Sequence, residues 1–365
     1  MNPGATFPAL PPDTPQEDIQ SHLEAVHRAG GLPAALDRLF EQQLAAGYIT
    51  REKLTEIERL GFPDPETGLE FRIQVNFGRS KYKPPPPASG TSDPEGSSPA
   101  CLLCKDNVGR PGKETLRIYE FPLDEEGRRF FVQLTPFPLY PHHFVLILSD
   151  HRPQSIDRRT VPDMLAFLRQ APGYTVCSNS DVEWAGSSIL EHLHFQVFRD
   201  LELPVMGARG VPHTAVQRSG CAIEVLRYPL SAFRLAASEA APIREVGSAL
   251  IEGWKSLDPG RNTANLVLAR SRDPSREHRL ILLLRNPDFR TPPTLQRFKR
   301  EGVGVIEASG EAILPVPEGE EAGELWREIR ENGLDIVKGI IRGNSPGVPE
   351  AQMRALLETV GRRVS

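Results

Sequence analysis

The run Glu191-His192-Leu193-His194-Phe195-Gln196-Val197-Phe198 places two imidazoles and an amide at every second position. Along a β-strand, successive side chains point to opposite faces. His192, His194 and Gln196 therefore share one face, about 7 Å apart, while Leu193, Phe195 and Val197 share the other and can enter a core. A neutral imidazole is a competent nucleophile near pH 7. Nitrogen-bearing side chains on one rigid ribbon suit an anionic ligand or a metal. A bare His-x-His also fits a half-exposed strand with a wet face, so its neighbours decide. Just upstream lies Trp184-Ala185-Gly186-Ser187-Ser188, whose backbone N–H groups, with the Ser187 and Ser188 hydroxyls, can cradle a phosphate. Asn179 adds an amide before it.

A second constellation has the chemistry of a metal site. Cys101-Leu102-Leu103-Cys104 has zinc-knuckle spacing, and Lys105-Asp106-Asn107 can form its turn. Two further ligands are needed. His151, just after an apolar run, and His192 would complete a tetrahedral two-Cys, two-His set. The competing reading is a pair of inert buried thiols. Arg72, Arg79 and Lys81, on and after an N-terminal strand, are candidates to neutralise a transferring phosphoryl group. A solvated surface charge is the simpler reading for Lys81. His213 and His278 have no motif around them and read as structural or surface residues.

The composition sets the frame for these groups. The chain of 365 residues is long enough for two domains, and 39% hydrophobic with 25% charged residues is ordinary for a soluble globular protein. The formal net charge of -5, without a long basic run, argues against a nucleic-acid partner. Small anionic substrates need only a few local cations. The polar, proline-rich start is no signal peptide, and no apolar run is long enough to span a bilayer. With four cysteines in all, the expectation is a reducing, cytoplasmic setting, where Cys-x-x-Cys holds metal more often than it forms a disulfide.

Periodicity supplies the elements that must position the chemistry. Residues 15–60 read as helices, with Leu23, Val26, Leu32, Ala35, Leu36, Leu39 and Phe40 at helical spacing. Residues 71–77 alternate as a half-buried strand. Residues 84–99, rich in Pro, Gly and Ser, read as a flexible insertion. Strands are expected over 117–121, 129–134, 144–148 and 193–198, with a helix over 161–169. Beyond these, 232–257 reads as one helix, 265–268 and 279–284 as strands, 303–306 and 312–316 as shorter strands, and 323–341 and 349–360 as closing helices. Strands and helices recur in both halves, which allows two α+β units related by duplication.

The stretch from Pro141-His142-His143 through Phe144–Leu148 to His151, followed by a helix and then His192-Leu193-His194-Phe195-Gln196, resembles the histidine-triad superfamily. Glutamine at the third triad position resembles the transferase and phosphorylase branch, which holds galactose-1-phosphate uridylyltransferase, the GDP-hexose phosphorylases and the diadenosine tetraphosphate phosphorylases. Leu193 stands where the uridylyltransferases carry proline, and the Asn179–His192 interval is about two residues longer than usual.

The resemblance implies an α+β fold of two histidine-triad-like halves, each an antiparallel sheet plus helices, packed as an internal pseudo-dimer behind an N-terminal helical extension. The corresponding domains are 1–70 for the extension, 71–200 for the half carrying the active site and 201–365 for a degenerate second half. It implies that His194 takes up a nucleoside monophosphate, that Gln196 hydrogen-bonds the phosphoryl oxygens, that Ser188 lies in the phosphate loop, and that Cys101, Cys104, His151 and His192 hold a structural Zn2+. No organic cofactor is expected. The implied reaction is a double displacement on a nucleoside diphosphate sugar, with inorganic phosphate or a sugar 1-phosphate as acceptor and retention at phosphorus. An amide in the third position cannot supply a proton, which suits leaving groups that depart as anions. A dinucleoside polyphosphate phosphorylase or hydrolase is the first alternative, and an inactive nucleotide- or zinc-binding regulatory protein the second. Monomer and homodimer are both compatible with a duplicated chain.

Overall fold

The computed structural model describes residues 8–77, 101–186, 189–271 and 277–363. The insertion expected over 84–99, and Arg79, Lys81, Ser187 and Ser188, lie outside the described residues. The chain divides into two compact units: residues 1–58, 76–153 and 191–194 form the first, and 59–75, 154–190 and 195–365 the second.

In the first unit the leading element is α1 (Gln16–Ala45), broken at Gly31, whose φ of 82° leaves the helical region. Glycine adopts that conformation without a Cβ penalty. Pro33 then sits in the first turn of the continuing helix, where a missing N–H costs nothing. The stripe Ile19, Leu23, Val26, Leu32, Ala35, Leu36 and Leu39 is buried. A short α2 (Arg51–Thr55) follows, its first turn capped by the Thr50 hydroxyl. Tyr119–Pro122, Arg129–Leu134 and His143–Leu148 pair antiparallel in chain order, with Tyr119 opposite Val132 and Phe130 opposite Leu148.

The outer strand of this ladder is closed by side chains. The Gln16 amide donates to the Ile118 carbonyl and accepts from its N–H, both at 3.0 Å. Gln20 does the same for Glu120 at 2.8 and 2.9 Å. Gln43 bonds the Thr115 carbonyl and the Arg117 amide. Three glutamines thus stand in for a neighbouring strand and remove an open edge.

In the second unit, β1 (Ile57–Pro63) and β2 (Glu70–Asn76) continue into β13 (Glu311–Leu314), which pairs parallel to β2. Residues 57–63 are therefore strand, where helix was expected to residue 60. β2 is buried on both faces, including Gln74 and Asn76, rather than half-buried. Numbering the first unit's ladder β3 to β5, the strands of the second unit are β6 (Tyr174–Ser178), β7 (His194–Arg199, which enters this unit at Phe195), β8 (Val216–Arg218), β9 (Cys221–Val225), β10 (Ala232–Ala237), β11 (Thr263–Arg270) and β12 (His278–Arg285). They lie in the order β7-β6-β11-β12-β10-β9-β8. Helix α3 (Thr160–Gln170) precedes β6, and α4 (Ala240–Leu257) precedes β11. Helix, strand, strand is thus repeated, and β6 pairs antiparallel with β11 through Cys177 and Val267. The order β7-β6-β11-β12 reads alike from either end.

Residues 232–257 hold a strand and then a helix, not one helix. Phe233 and Leu235 pair with β9 on one side and β12 on the other, and two flanking ladders override helix propensity. Residues 303–306, expected as strand, enter the short α5 (Val305–Ala308), where the Glu307 carboxylate accepts from the Gly304 amide. The closing helices are α6 (Ala322–Gly343) and α7 (Glu350–Arg363). Among the described residues, no helix is long and apolar enough to cross a membrane.

Candidate functional site

In the first unit, Cys101 and Cys104 flank the entry to a 3-10 turn over Lys105–Asn107. The turn is tied by the Asn107 amide, which donates to the Cys101 carbonyl at 3.0 Å, and by Lys113, whose ammonium reaches the Leu102 carbonyl at 2.6 Å. His151 follows β5. Segment 192–193 runs beside it, with the Leu148 N–H donating to the Leu193 carbonyl at 3.1 Å and the Leu193 N–H to the Arg152 carbonyl at 2.7 Å. This pairing carries His192 to the knuckle.

The four side chains of Cys101, Cys104, His151 and His192 converge, with one donor atom of each lying within 4.8 Å of the others. The two Sγ atoms are 3.3 Å apart. Cys101 Sγ lies 3.3 Å from His192 Nδ1 and 3.8 Å from His151 Nδ1, and Cys104 Sγ lies 3.0 Å from His151 Nδ1 and 3.8 Å from His192 Nδ1. A tetrahedral zinc bound by two sulfurs and two nitrogens has donor–donor edges of about 3.3–3.8 Å, so the donor set fits such an ion. His192 Nε2 donates to the Leu148 carbonyl at 2.7 Å, which fixes the tautomer that directs Nδ1 at the cysteines. Burial lowers the His192 pKa, against an opposing pull from that carbonyl. Burial and the adjacent Cys101 thiol push Cys104 up to about 11. An incoming cation must therefore displace thiol protons, beside a Lys113 ammonium that favours the thiolates.

His194 is the first residue of β7. Its ring is not on a wet face: 6% of the residue is exposed, and 1% of His192. His194 Nδ1 lies 2.8 Å from the His192 carbonyl. A carbonyl can only accept, so Nδ1 carries the proton and Nε2 the basic lone pair. Burial lowers the His194 pKa, with the His192 carbonyl opposing, and the ring is neutral at pH 7. Gln196 is two residues further along β7, half-buried and opposite Cys177.

The expected phosphate ligands separate. Asn179, 7% exposed, uses its side-chain oxygen to accept from the Val305 N–H at 3.1 Å. Arg72 pairs with the buried Glu311 at 3.2 Å and donates to the Glu202 carbonyl, so its guanidinium is committed to the β2–β13 sheet. Arg79, Ser187 and Ser188 lie outside the described residues. Three groups escaped sequence reasoning. The carbonyls of Leu148 and His192 belong to the backbone and carry no residue signal. Lys113 is nine residues beyond the knuckle and could have been found only by its proximity.

The profile of a family described as a domain of unknown function (DUF4922) matches residues 39–199. Galactose-1-phosphate uridylyltransferase of Bacillus subtilis is 28% identical over 295 residues, 73% of this chain and 55% of that protein. The uridylyltransferase of Clostridium acetobutylicum is 25% identical over 328 residues, 81% of this chain and 64% of that one. The chain thus spans less than two thirds of the length of these relatives. Yeast Ap4A phosphorylase shares the fold, with a TM-score of 0.57 at 15% identity over 86% of this chain and 98% of that one. The chain is thus similar in sequence to galactose-1-phosphate uridylyltransferases and in fold to yeast Ap4A phosphorylase.

Proposed function

We propose that the chain is a nucleotidyltransferase or phosphorylase that acts on a nucleoside diphosphate sugar through a nucleotidyl-histidine on His194. The observation that carries this reading is the 2.8 Å approach of His194 Nδ1 to the His192 carbonyl. It holds one tautomer and leaves Nε2 as the nucleophilic nitrogen. Nε2 attacks the α-phosphorus, the bond to the bridging oxygen breaks, and the sugar 1-phosphate leaves with the electron pair. An oxygen of inorganic phosphate or of a second sugar 1-phosphate then attacks the same phosphorus, and the P–N bond breaks to restore neutral His194. Two in-line inversions give retention. The sugar 1-phosphate departs as an anion and the His194 imidazole as a neutral ring, so neither needs a proton, and the Gln196 amide, which donates a hydrogen bond but no proton, suffices opposite the phosphoryl oxygens.

Cys101, Cys104, His151 and His192 would hold a zinc ion. Four protein donors leave no open position, so the ion would be structural, tying the knuckle to the segment that carries His194. Leucine between the two histidines favours a phosphorylase-like over a uridylyl-specific variant. The same chemistry accommodates a dinucleoside polyphosphate, the class bound by the yeast phosphorylase in its Ap4A complex.

The test is incubation with UDP-, GDP- and ADP-hexoses and with Ap4A, with and without phosphate, read by intact mass and product analysis. A nucleoside monophosphate adduct, absent in His194→Ala, and phosphate-dependent release of the nucleoside diphosphate are expected. Phosphate-independent turnover would make the chain a hydrolase. Ligand binding without any adduct would make it a binding protein and end the reading.

A further inference from the structure

Within the first unit, the four donors of the cysteine–histidine cluster form two unlike couples. Cys101 Sγ lies 3.3 Å from His192 Nδ1, and Cys104 Sγ lies 3.0 Å from His151 Nδ1, while each crossed sulfur–nitrogen distance is 3.8 Å. Cys101 and His192 are buried, Cys104 is half-buried and His151 is exposed. The cluster therefore has an inner couple closed off from water and an outer couple that faces it. Leu102, between the cysteines, is 70% exposed, so the knuckle itself stands at the surface.

The supports are as uneven as the burial. His192 Nε2 donates to the carbonyl of Leu148, the last residue of β5, at 2.7 Å. The Cys101 carbonyl accepts from the buried Asn107 amide at 3.0 Å. A ligating imidazole is normally fixed through its second nitrogen, and loss of such a partner costs roughly 10- to 100-fold in metal affinity. His151 lacks that bond: among the described residues its hydrogen-bond contacts are those of Nδ1 with the two sulfurs. The inner ligands are thus locked, and the outer imidazole is held by its ligand nitrogen alone.

We propose that the zinc site is exchangeable: the ion enters and leaves across the edge between Cys104 and His151, by direct attack of an incoming multidentate chelating ligand rather than by prior release into water. This rests on the zinc reading above. His151 departs first, as a neutral imidazole that needs no proton, and a donor of the incoming ligand supplies the electron pair it withdraws. Cys104 departs second, replaced in the same way, and its thiolate takes a proton from water. Cys101 and His192 hold until the incoming ligand has filled the two vacated positions.

The test uses the full chain loaded with zinc and mixed with increasing excess of the chromogenic chelator pyridylazoresorcinol. The transfer rate is expected to rise in proportion to chelator concentration, because attack at the outer edge belongs to the slow step. Release into water first would give a rate that ignores the chelator. His151→Ala is expected to speed transfer on the order of tenfold or more at a given chelator concentration, since the first departure is no longer needed. In a second measurement, iodoacetamide is added to the loaded chain and both thiols are followed by peptide mass spectrometry. Modification of Cys104 is expected to run on the order of tenfold ahead of Cys101, in step with zinc loss. A chelator-independent rate overturns the proposal, as does an unchanged rate in His151→Ala or modification of Cys101 at the pace of Cys104. Should His151→Ala fail to fold, the two measurements on the unmutated chain decide. A chain that takes up no zinc overturns the zinc reading and this proposal together, whereas a loaded chain that fails these measurements overturns this proposal alone.

Discussion

Cys101→Ser is the perturbation that most directly connects the Cys101, Cys104, His151 and His192 cluster to the proposed nucleophile His194. The cluster closes a loop of 47 residues between Cys104 and His151 and one of 91 between Cys101 and His192. Treated as a cross-link, each closure removes roughly 4 kcal/mol of chain entropy from the unfolded state. One lost sulfur leaves three donors and a weakened ion, so a stability loss of about 2–4 kcal/mol is expected. The catalytic loss has a separate origin. The His192 carbonyl that holds His194 Nδ1 belongs to the same residue whose ring would bind zinc. If that residue swings free, a buried N–H is left without its acceptor, at about 1–3 kcal/mol. At 1.36 kcal/mol per tenfold, this is roughly 5- to 150-fold in the rate of adduct formation. Elemental analysis should give one zinc per unmutated chain and less in the variant. Thermal unfolding and single-turnover mass spectrometry of the adduct supply the other two numbers. Full zinc occupancy in Cys101→Ser, or loss of zinc with an unchanged adduct rate, would refute the coupling.

Two further expectations concern the frame. Lys338, 5% exposed, bonds Asp64 at 2.8 Å and Glu66 at 3.0 Å. Burial pushes the Asp64 pKa up, but the bonds from Lys338, Thr67 and the Glu66 amide outweigh it and hold the carboxyl below its usual value. A depressed carboxylate contributes stability above its unfolded pKa that is lost as pH falls through the folded one, so this contribution persists to below about pH 4. Lys338→Met leaves Asp64 charged and unpaired at pH 7, a loss of about 3–5 kcal/mol. Desolvation then raises the Asp64 pKa, and the deficit relative to the unmutated chain should shrink between pH 7 and pH 5. A deficit independent of pH in urea titrations would contradict this. Gln16→Ala with Gln20→Ala removes four edge bonds at about 1 kcal/mol each and uncovers the outer strand. Concentration-dependent association by light scattering is expected, and a monodisperse double variant would argue against the edge-closing role.

The clustering of Cys101, Cys104, His151 and His192 and the strand under His194 were more legible than the frame around them. Cys-x-x-Cys and His-x-His-x-Gln are short motifs whose chemistry is local, and period-two alternation correctly put His194 and Gln196 on a strand. Alternation said nothing of burial, because both faces of that ribbon are covered. The partners of Arg72 and Asn179 were not legible, because a cation or amide in sequence does not announce its partner. Arg72 turns to Glu311 and Asn179 to Val305, each more than a hundred residues away. The same distance effect explains 232–257. Ala232–Ala237 has helical composition, and only the two flanking ladders make it a strand. The edge-closing role of Gln16 and Gln20 leaves no signal in the sequence for the same reason, since their partners lie about a hundred residues on.

The division of labour between the two histidines follows from where the strand starts. If β7 began at His192, both rings would project from one face at about 7 Å and compete for one ligand. The ladder begins at His194 instead. His192 stays outside it, its backbone paired beside Leu148–Arg152 and its ring turned to the cysteines. Its carbonyl is thereby presented to the imidazole two residues on. On the proposed reading, a two-residue spacing would serve two tasks that need opposite environments: a ligand ring closed off by sulfur, and a nucleophilic ring whose proton is parked on the far nitrogen. Moving the motif by one residue would destroy both. Exchanging Leu193 for proline, which deletes the N–H bonded to Arg152 at 2.7 Å, should therefore disturb the adduct rate and the metal content together rather than either alone.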